Sequence, residues 1–433
     1  MEQLNPKEKT TQNLHKLERT INLLKIYTFF SYLTSVFYLI FILIWFNLNA
    51  ITVAQLFIYN LLTIVVGLII NNLFSNLSDK LGNRTFFLMF QDVLSALALL
   101  IIIFYINLIT IAIFAFLVYA ISRESLLTAL FYDIIEKREI IKRVDNKDFE
   151  EQKAKEFTKF RILGSIGWAI GGPIAGFFIM IWGFQITFAI PVILHFSTFI
   201  YLFCIRRELN EASLNEIKSK EVLINKKVFK TSIFRNTEFL ILLLVMFIFE
   251  IGRSISHSIK PVYAAELGGS YLYIGLLAFT WALCEVPLFF LSSKIVESNG
   301  YKIPIILGAV FVIIRYFFYI FIITPQNLLL FLLLETLNTF GILWPAITFA
   351  INHMFAQENK ALGTSIYITF VAVARFLGNF FGMLFAFWFD IGGNYQDYRI
   401  LFVFGLIVDL MGLAFFLGII ILKKKKLILK SAS

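Results

Sequence analysis

Long apolar runs alternate with short polar interruptions along nearly the whole chain. Twelve such runs fall between residues 22 and 422, six before and six after a polar stretch at 205–236. A helix of about twenty apolar residues crosses the hydrocarbon core of a bilayer. A membrane strand would alternate apolar and polar positions instead. Runs such as Leu97–Phe104 and Leu328–Leu334 are continuously apolar, so the pattern predicts helices, whose backbone bonds close within each segment. The expected fold is an all-α integral membrane protein of twelve transmembrane helices in two six-helix bundles. The expected division is an N-terminal arm (1–20), a first bundle (21–204), a linker (205–236), a second bundle (237–422) and a basic tail (423–433).

Composition agrees with lipid as the solvent. Of the 433 residues, 59% are hydrophobic, 17% aromatic and only 15% charged, where a soluble domain carries about a quarter charged residues. A net charge of +10 in a soluble protein would favour nucleic acid. Here its distribution gives another meaning. Of 38 Lys and Arg, 31 lie in the arm, the tail and the loops that share their side, two (Lys260 and Arg399) lie on the other side, and five, Lys25 among them, lie inside runs. Positive charge collects on the cytoplasmic face, so both termini are expected in the cytoplasm, in the plasma membrane, with no nucleic-acid partner. The Lys423–Lys426 run then reads as a lipid-headgroup anchor.

The opposite loops, Asn47–Ala50, Asn107–Leu108, Trp182–Gly183 and Thr324–Gln326, are too short for a receptor ectodomain. The first apolar run is far longer than the core of a cleavable signal, so it reads as a retained helix. Cys204 and Cys284 read as small core hydrophobes, with no metal or disulfide spacing. No phosphate-binding GxxxxGK[ST], HExxH or GxSxG pattern occurs, so neither an enzyme, a cofactor nor a metal is expected.

The informative residues are ionisable groups inside apolar runs, each costing a few kcal/mol or more if unpaired (about 3 on insertion scales). In the second half these are Glu250, Arg253 and His257 on one face of the seventh helix, then Glu285, Arg315, Glu335, Arg375 and Asp409. In the first half they are Asp92, Arg123 and Glu124, with Asp133 near a span end. They read either as structural ion pairs or as a solute and proton path. Adjacent Arg123 and Glu124 cannot face one direction. Glu285 and Arg315, on consecutive helices, are the expected pair. His195 and His353 read as satisfied structural histidines. Gly171, Gly172, Pro173 and Gly176 make the fifth helix thin and kinkable, and Gly378 and Gly382 form a GxxxG pair in the eleventh. Pro345 is the expected break in the tenth.

Ser75–Arg84 is a polar turn between the second and third runs, and it carries a resemblance. Asp79, Lys80, Gly82 and Arg84 match the loop pattern Gly-x-x-x-Asp-Arg/Lys-x-Gly-Arg-Arg/Lys of the major facilitator superfamily, with Ser75 and Asn83 departing from it. The resemblance implies that fold and a gating role for Asp79 and Arg84, with Asp133 as a partner. The stretch Trp281–Phe290 with Gly300 and Arg315 resembles the sugar and nucleoside proton symporters related to lactose permease. That implies proton coupling through Glu285 and Arg315. Gly171–Gly176 resembles instead the Gly-Pro motif of drug–proton antiporters.

The expected function is secondary transport of a small organic solute by alternating access, coupled to protons, through a monomer. Glu285, Arg315, Arg123 and Glu124 lead the expected coupling network, followed by Glu250, Arg253, Glu335 and Arg375. A drug efflux antiporter, and a sensor or scaffold of the same fold, are the alternatives.

Overall fold

The computed structural model describes residues 6–142, 146–212, 236–355, 360–392 and 394–432. Its regular elements are helices. In chain order these are α1 (Pro6–Leu39), α2 (Ile42–Leu48), α3 (Val53–Leu81), α4 (Arg84–Phe104), α5 (Leu108–Tyr119), α6 (Arg123–Lys142) and α7 (Asn146–Ala212). Then come α8 (Thr237–Glu266), α9 (Tyr271–Asn299), α10 (Lys302–Phe321), a 3₁₀ turn (Pro325–Asn327), α11 (Leu328–Leu334), α12 (Thr339–Met354), α13 (Lys360–Trp388) and α14 (Arg399–Ala432).

Among the described residues, eleven helical stretches are long and apolar enough to cross a membrane. One of them, Lys159–Ala212, has 54 residues. As one straight helix it would be about 80 Å long, far beyond the ~30 Å hydrocarbon core. Gly183 divides it, with φ 76° and ψ 177°, a backbone region open to glycine and costly for other residues. Each side of Gly183 is long enough for its own crossing, which brings the count to the expected twelve.

Several boundaries differ from the sequence expectation. The N-terminal arm is not separate from the first span: α1 runs unbroken from Pro6, and Leu17 and Thr20 are already buried. The Ser75–Arg84 turn shrinks to Gly82 and Asn83. The helix continues through Leu81, Gly82 takes φ 63°, and the Asn83 side chain accepts from the Phe86 N–H to start α4. Residues 205–212 belong to α7, and 213–235 lie outside the described residues. Cys204 is exposed and Cys284 half-buried, and both are free thiols rather than core residues.

The chain forms two compact units. The first comprises Met1–Ile40 and Val65–Val228, the second Phe41–Ile64 and Phe229–Ser433. In the first, α1 and α4 pack along α7. Leu24, Leu130, Phe131 and Phe160 lie in its core, with the Phe131 and Phe160 rings stacked at 4.3 Å. In the second, α13 and α14 pack on α8, and α12 packs on α9 and α10. Segment 41–64 belongs to this unit, with α2 against α8 and Phe57 against Gly382.

Small residues set these approaches, as expected where apolar side chains gain nothing by leaving lipid. A Cβ on Gly171 would overlap Val36 of α1, and one on Gly378 would overlap Ser254 Oγ and the Ile251 carbonyl of α8. Gly67 has open space around it. Gly378→Val should therefore lower stability by about 1–3 kcal/mol. Gly67→Ala should leave it unchanged or slightly raised. Thermal melting of the detergent-purified protein checks the pair, and equal melting temperatures would contradict the close approach at Gly378.

Candidate functional site

Among the described residues, the first crossing is interrupted near its end, between Leu39 and Ile42, and the fourth crossing of each half is broken nearer its middle. In the first half, α5 stops at Tyr119 and α6 starts at Arg123. In the second, α11 stops at Leu334 and α12 starts at Thr339. The expected break at Pro345 does not occur, because Pro345 lies inside α12. The break is supplied several residues earlier, where Asn338 provides a cap.

A helix break exposes backbone groups that lipid cannot satisfy, and here side chains satisfy them. Gln91 Nε2 on α4 donates to the Val118 carbonyl at 2.8 Å and to that of Leu117 at 3.4 Å. Asn71 on α3 accepts from the Ser122 N–H at 2.8 Å, and Ser122 Oγ accepts from the Ser125 N–H at 3.2 Å. At the second break, Asn338 accepts from the Phe340 and Gly341 N–H groups and donates to the Trp281 carbonyl at 2.7 Å. Each break is thus a built feature with its own polar support.

Arg123 stands at the first break. Its Nη2 donates to Asp92 Oδ1 at 2.8 Å and its Nη1 to Ser35 Oγ at 3.0 Å. Asp92 Oδ2 accepts from the Tyr27 hydroxyl at 3.0 Å, and Oδ1 lies 3.1 Å from His195 Nδ1. Asp92 and His195 are fully buried, and His195 Nε2 has no hydrogen-bond partner. Four helices contribute to this cluster: α1, α4, α6 and α7. Arg123 and Glu124 diverge. Glu124 turns outward and pairs with Arg161, which also donates to Tyr32. His195, expected to be a satisfied structural histidine near a span end, is instead a member of this cluster.

Glu335 stands at the second break. Its Oε1 accepts from the Tyr319 hydroxyl at 2.6 Å and from Arg315 Nη2 at 3.2 Å; its Oε2 accepts from Lys260 Nζ at 2.6 Å. Arg315 Nε also donates to Tyr319 Oη at 3.1 Å. The expected Arg315–Glu285 pair is therefore corrected: the carboxylate that Arg315 meets is Glu335, and Glu285 lies buried on α9. Lys260 is corrected too. It belongs to α8 rather than to a loop, and its side chain is buried against Glu335.

A second carboxylate in this unit is also shared by two cations. Glu250 Oε1 meets Arg253 at 2.5 Å, and Oε2 accepts from Arg375 Nε at 2.9 Å. His257, on the same helix, is exposed, with its ring 6.4 Å from that of Trp281. Asp409 of α14 is buried beside Gly252, with neither oxygen hydrogen-bonded. Among the described residues, no cluster of metal-ligating side chains occurs.

At the Gly82 turn, Arg84 joins Asp79 at 2.9 Å and also pairs with Asp133 of α6. Lys80 is exposed. The two acids differ in burial, with 64% of the Asp79 side chain exposed against 4% of that of Asp133.

The family model described as the MFS_1 like family matches residues 21–399, and the chain belongs to that family of the major facilitator superfamily. No curated protein matches it. Among solved structures, the nucleoside transporter NupG has a TM-score of 0.70 at 12% identity, covering 92% of this chain and 98% of that one. A bacterial homologue of the human lysosomal transporter Spinster has a TM-score of 0.66 at 14% identity, covering 93% and 96%. The peptide transporter POT, in complex with sulfate, has a TM-score of 0.62 at 12% identity, covering 92% and 94%. At these identities the likeness establishes the shared fold.

Breaking a buried ion pair leaves a charge without compensation and costs about 3–5 kcal/mol, while an exposed pair contributes roughly 0–1 kcal/mol. Asp133→Asn should therefore destabilise the protein by several times as much as Asp79→Asn. Thermal melts of the two variants side by side check this. Equal losses would mean that burial does not rank the two partners of Arg84.

Proposed function

We propose that this protein is a secondary transporter moving a small polar organic solute across the plasma membrane by alternating access, coupled to protons, with both termini in the cytoplasm. The observation that carries the reading is the placement of buried ion pairs at a capped helix break in the fourth crossing of each half. Interrupted helices in corresponding positions are where transporters bind substrates and ions. Ionisable groups inside a membrane are expensive enough that function is the default account of them. The named solved relatives, which transport nucleosides and peptides, support the same class.

Arg315, Glu335 and Lys260 form the leading substrate network in the second half, with Glu250, Arg253 and Arg375 beside it. Each of these two carboxylates sits between two cations, so hydrogen-bond donors outnumber acceptors. A solute rich in acceptor oxygens or ring nitrogens suits that surplus. Glu285 keeps its proposed role in coupling, and the pair of Arg84 with Asp79 and Asp133 its proposed role as a gating latch.

A thermal-shift panel of nucleosides, sugars, amino acids, peptides and lipophilic cations on the purified protein tests this, because a ligand of the folded state raises its melting temperature. The stabilising solute is then followed by exchange in proteoliposomes. Tyr319→Phe, which removes the hydroxyl's two hydrogen bonds to Glu335 and Arg315, each of the charged-group kind worth about 1.5–3 kcal/mol, should lower exchange several-fold and lower the melting temperature. Glu335→Gln should lower it at least tenfold. Full exchange in a folded Glu335→Gln protein would remove Glu335 from the substrate network. Stabilisation by lipophilic cations alone would favour the efflux antiporter, and absence of any exchange would favour a sensor or scaffold.

A further inference from the structure

The first-half cluster contains one cation, one carboxylate and one imidazole. With His195 neutral, Asp92 and Arg123 cancel and the site carries no net charge. Arg123 Nη2 and His195 Nδ1 converge on the same atom, Asp92 Oδ1, at 2.8 and 3.1 Å. They approach each other to 3.4 Å. The far ring nitrogen, His195 Nε2, is fully buried without a partner. On α1, Tyr27 and Tyr38 face this imidazole, the Tyr38 ring centre lying 6.1 Å from it; on α4, Asp92; on α6, Arg123. Asp92 is the one carboxylate in this set.

A protonated His195 beside Arg123 puts two cations on the same Asp92 oxygen and leaves the site with one positive charge in excess, so each cation weakens the other's hold on Asp92. One positive charge must be present, however, or Asp92 is itself left alone. We infer that a proton on His195 and the guanidinium of Arg123 are alternative counter-ions of Asp92, so that proton binding at His195 releases Arg123. The proton from water takes the lone pair on the ring; the imidazolium then offers N–H donors at both nitrogens, and Nδ1–H holds Asp92. No other bond is made or broken. The site is neutral before and after, with the cation exchanged.

Arg123 is placed for such a release because it begins α6, directly after the interruption at Ala120–Ser122. Its side chain can leave Asp92 with a turn of one half-helix. This inference rests on the transport reading and gives it a coupling site. It places that site in the first half, apart from the pair expected at Glu285 and Arg315.

The test needs no solute. Proton uptake by the purified protein in weakly buffered detergent is read with an indicator dye between pH 8 and 5. Wild type should take up about one more proton per chain than His195→Gln across this range, where an imidazole titrates. Arg123→Gln removes the competing cation, so the imidazolium gains sole hold of Asp92 and the uptake should move about one pH unit or more upward, a tenfold tighter proton. The shift is read on Arg123→Gln protein that keeps a cooperative melting transition, because unfolding would also expose the imidazole and raise the pH of uptake. Superimposable curves for wild type and His195→Gln overturn the inference, as does an Arg123→Gln curve that coincides with wild type. Either result leaves solute exchange standing as a separate finding. Loss of exchange with normal uptake would count against the transport reading alone.

Discussion

The constraint on which the rest depends is the cost of an uncompensated charge away from water. In a hydrocarbon surround, a carboxylate or guanidinium is costly to keep ionised without a partner and well-aimed hydrogen bonds. Asp92 meets this with Arg123, Tyr27 and His195, and Glu335 with Arg315, Lys260 and Tyr319. Both acids are fully buried. Asp92 draws its partners from three helices and Glu335 from two, so each ties those helices into one arrangement. A change in the partner of either acid therefore changes the packing of several spans, which is how a small charge event acquires a large structural consequence.

A second constraint, satisfaction of every backbone polar group, decides where such sites can form. A continuous helix closes its own hydrogen bonds and offers no reason for a polar neighbour. The interruptions at Ala120–Ser122 and Glu335–Asn338 require Gln91, Asn71 and Asn338, and those residues have no other evident reason to lie in apolar runs. The charge clusters and the breaks then support each other. Opening the helix brings a polar environment to mid-membrane, and the charged residues at the opening hold the flanking halves in place.

The fold was legible because its signal is local and repeated. Each crossing announces itself by an apolar run, and Gly183 marks the one junction that helical continuity would hide. At the Gly82 turn the family resemblance implies that Asp79, Arg84 and Asp133 act together, and Arg84 pairs with both acids. The partners inside the membrane were not legible, since pairing depends on which face each helix turns to its neighbour and apolar runs carry little periodicity. Arg315 was matched to Glu285 by depth alone, although Glu335 was the acid within reach. Lys260 and Pro261 suggest a loop in the sequence, but the helix continues through both to Glu266. The Asn338-Thr339 cap signal was present at the tenth-span break but was outweighed by Pro345. A proline inside a helix need not end it when neighbouring helices re-satisfy the freed carbonyl.

The two halves solve the same electrostatic problem with opposite margins, and the margins imply different work. In the first half Asp92 has one guanidinium and one imidazole beside it, the two groups proposed to alternate as its counter-ion. In the second, Glu335 and Glu250 each meet two cationic side chains, a surplus of donors that suits the proposed solute. On the proposed reading, a proton site in one half and a solute site in the other would give coupling a physical form. Solute and proton need not touch each other if each biases the helix break beside its own site, since a shared conformational equilibrium links two ligands whenever each prefers one of its states.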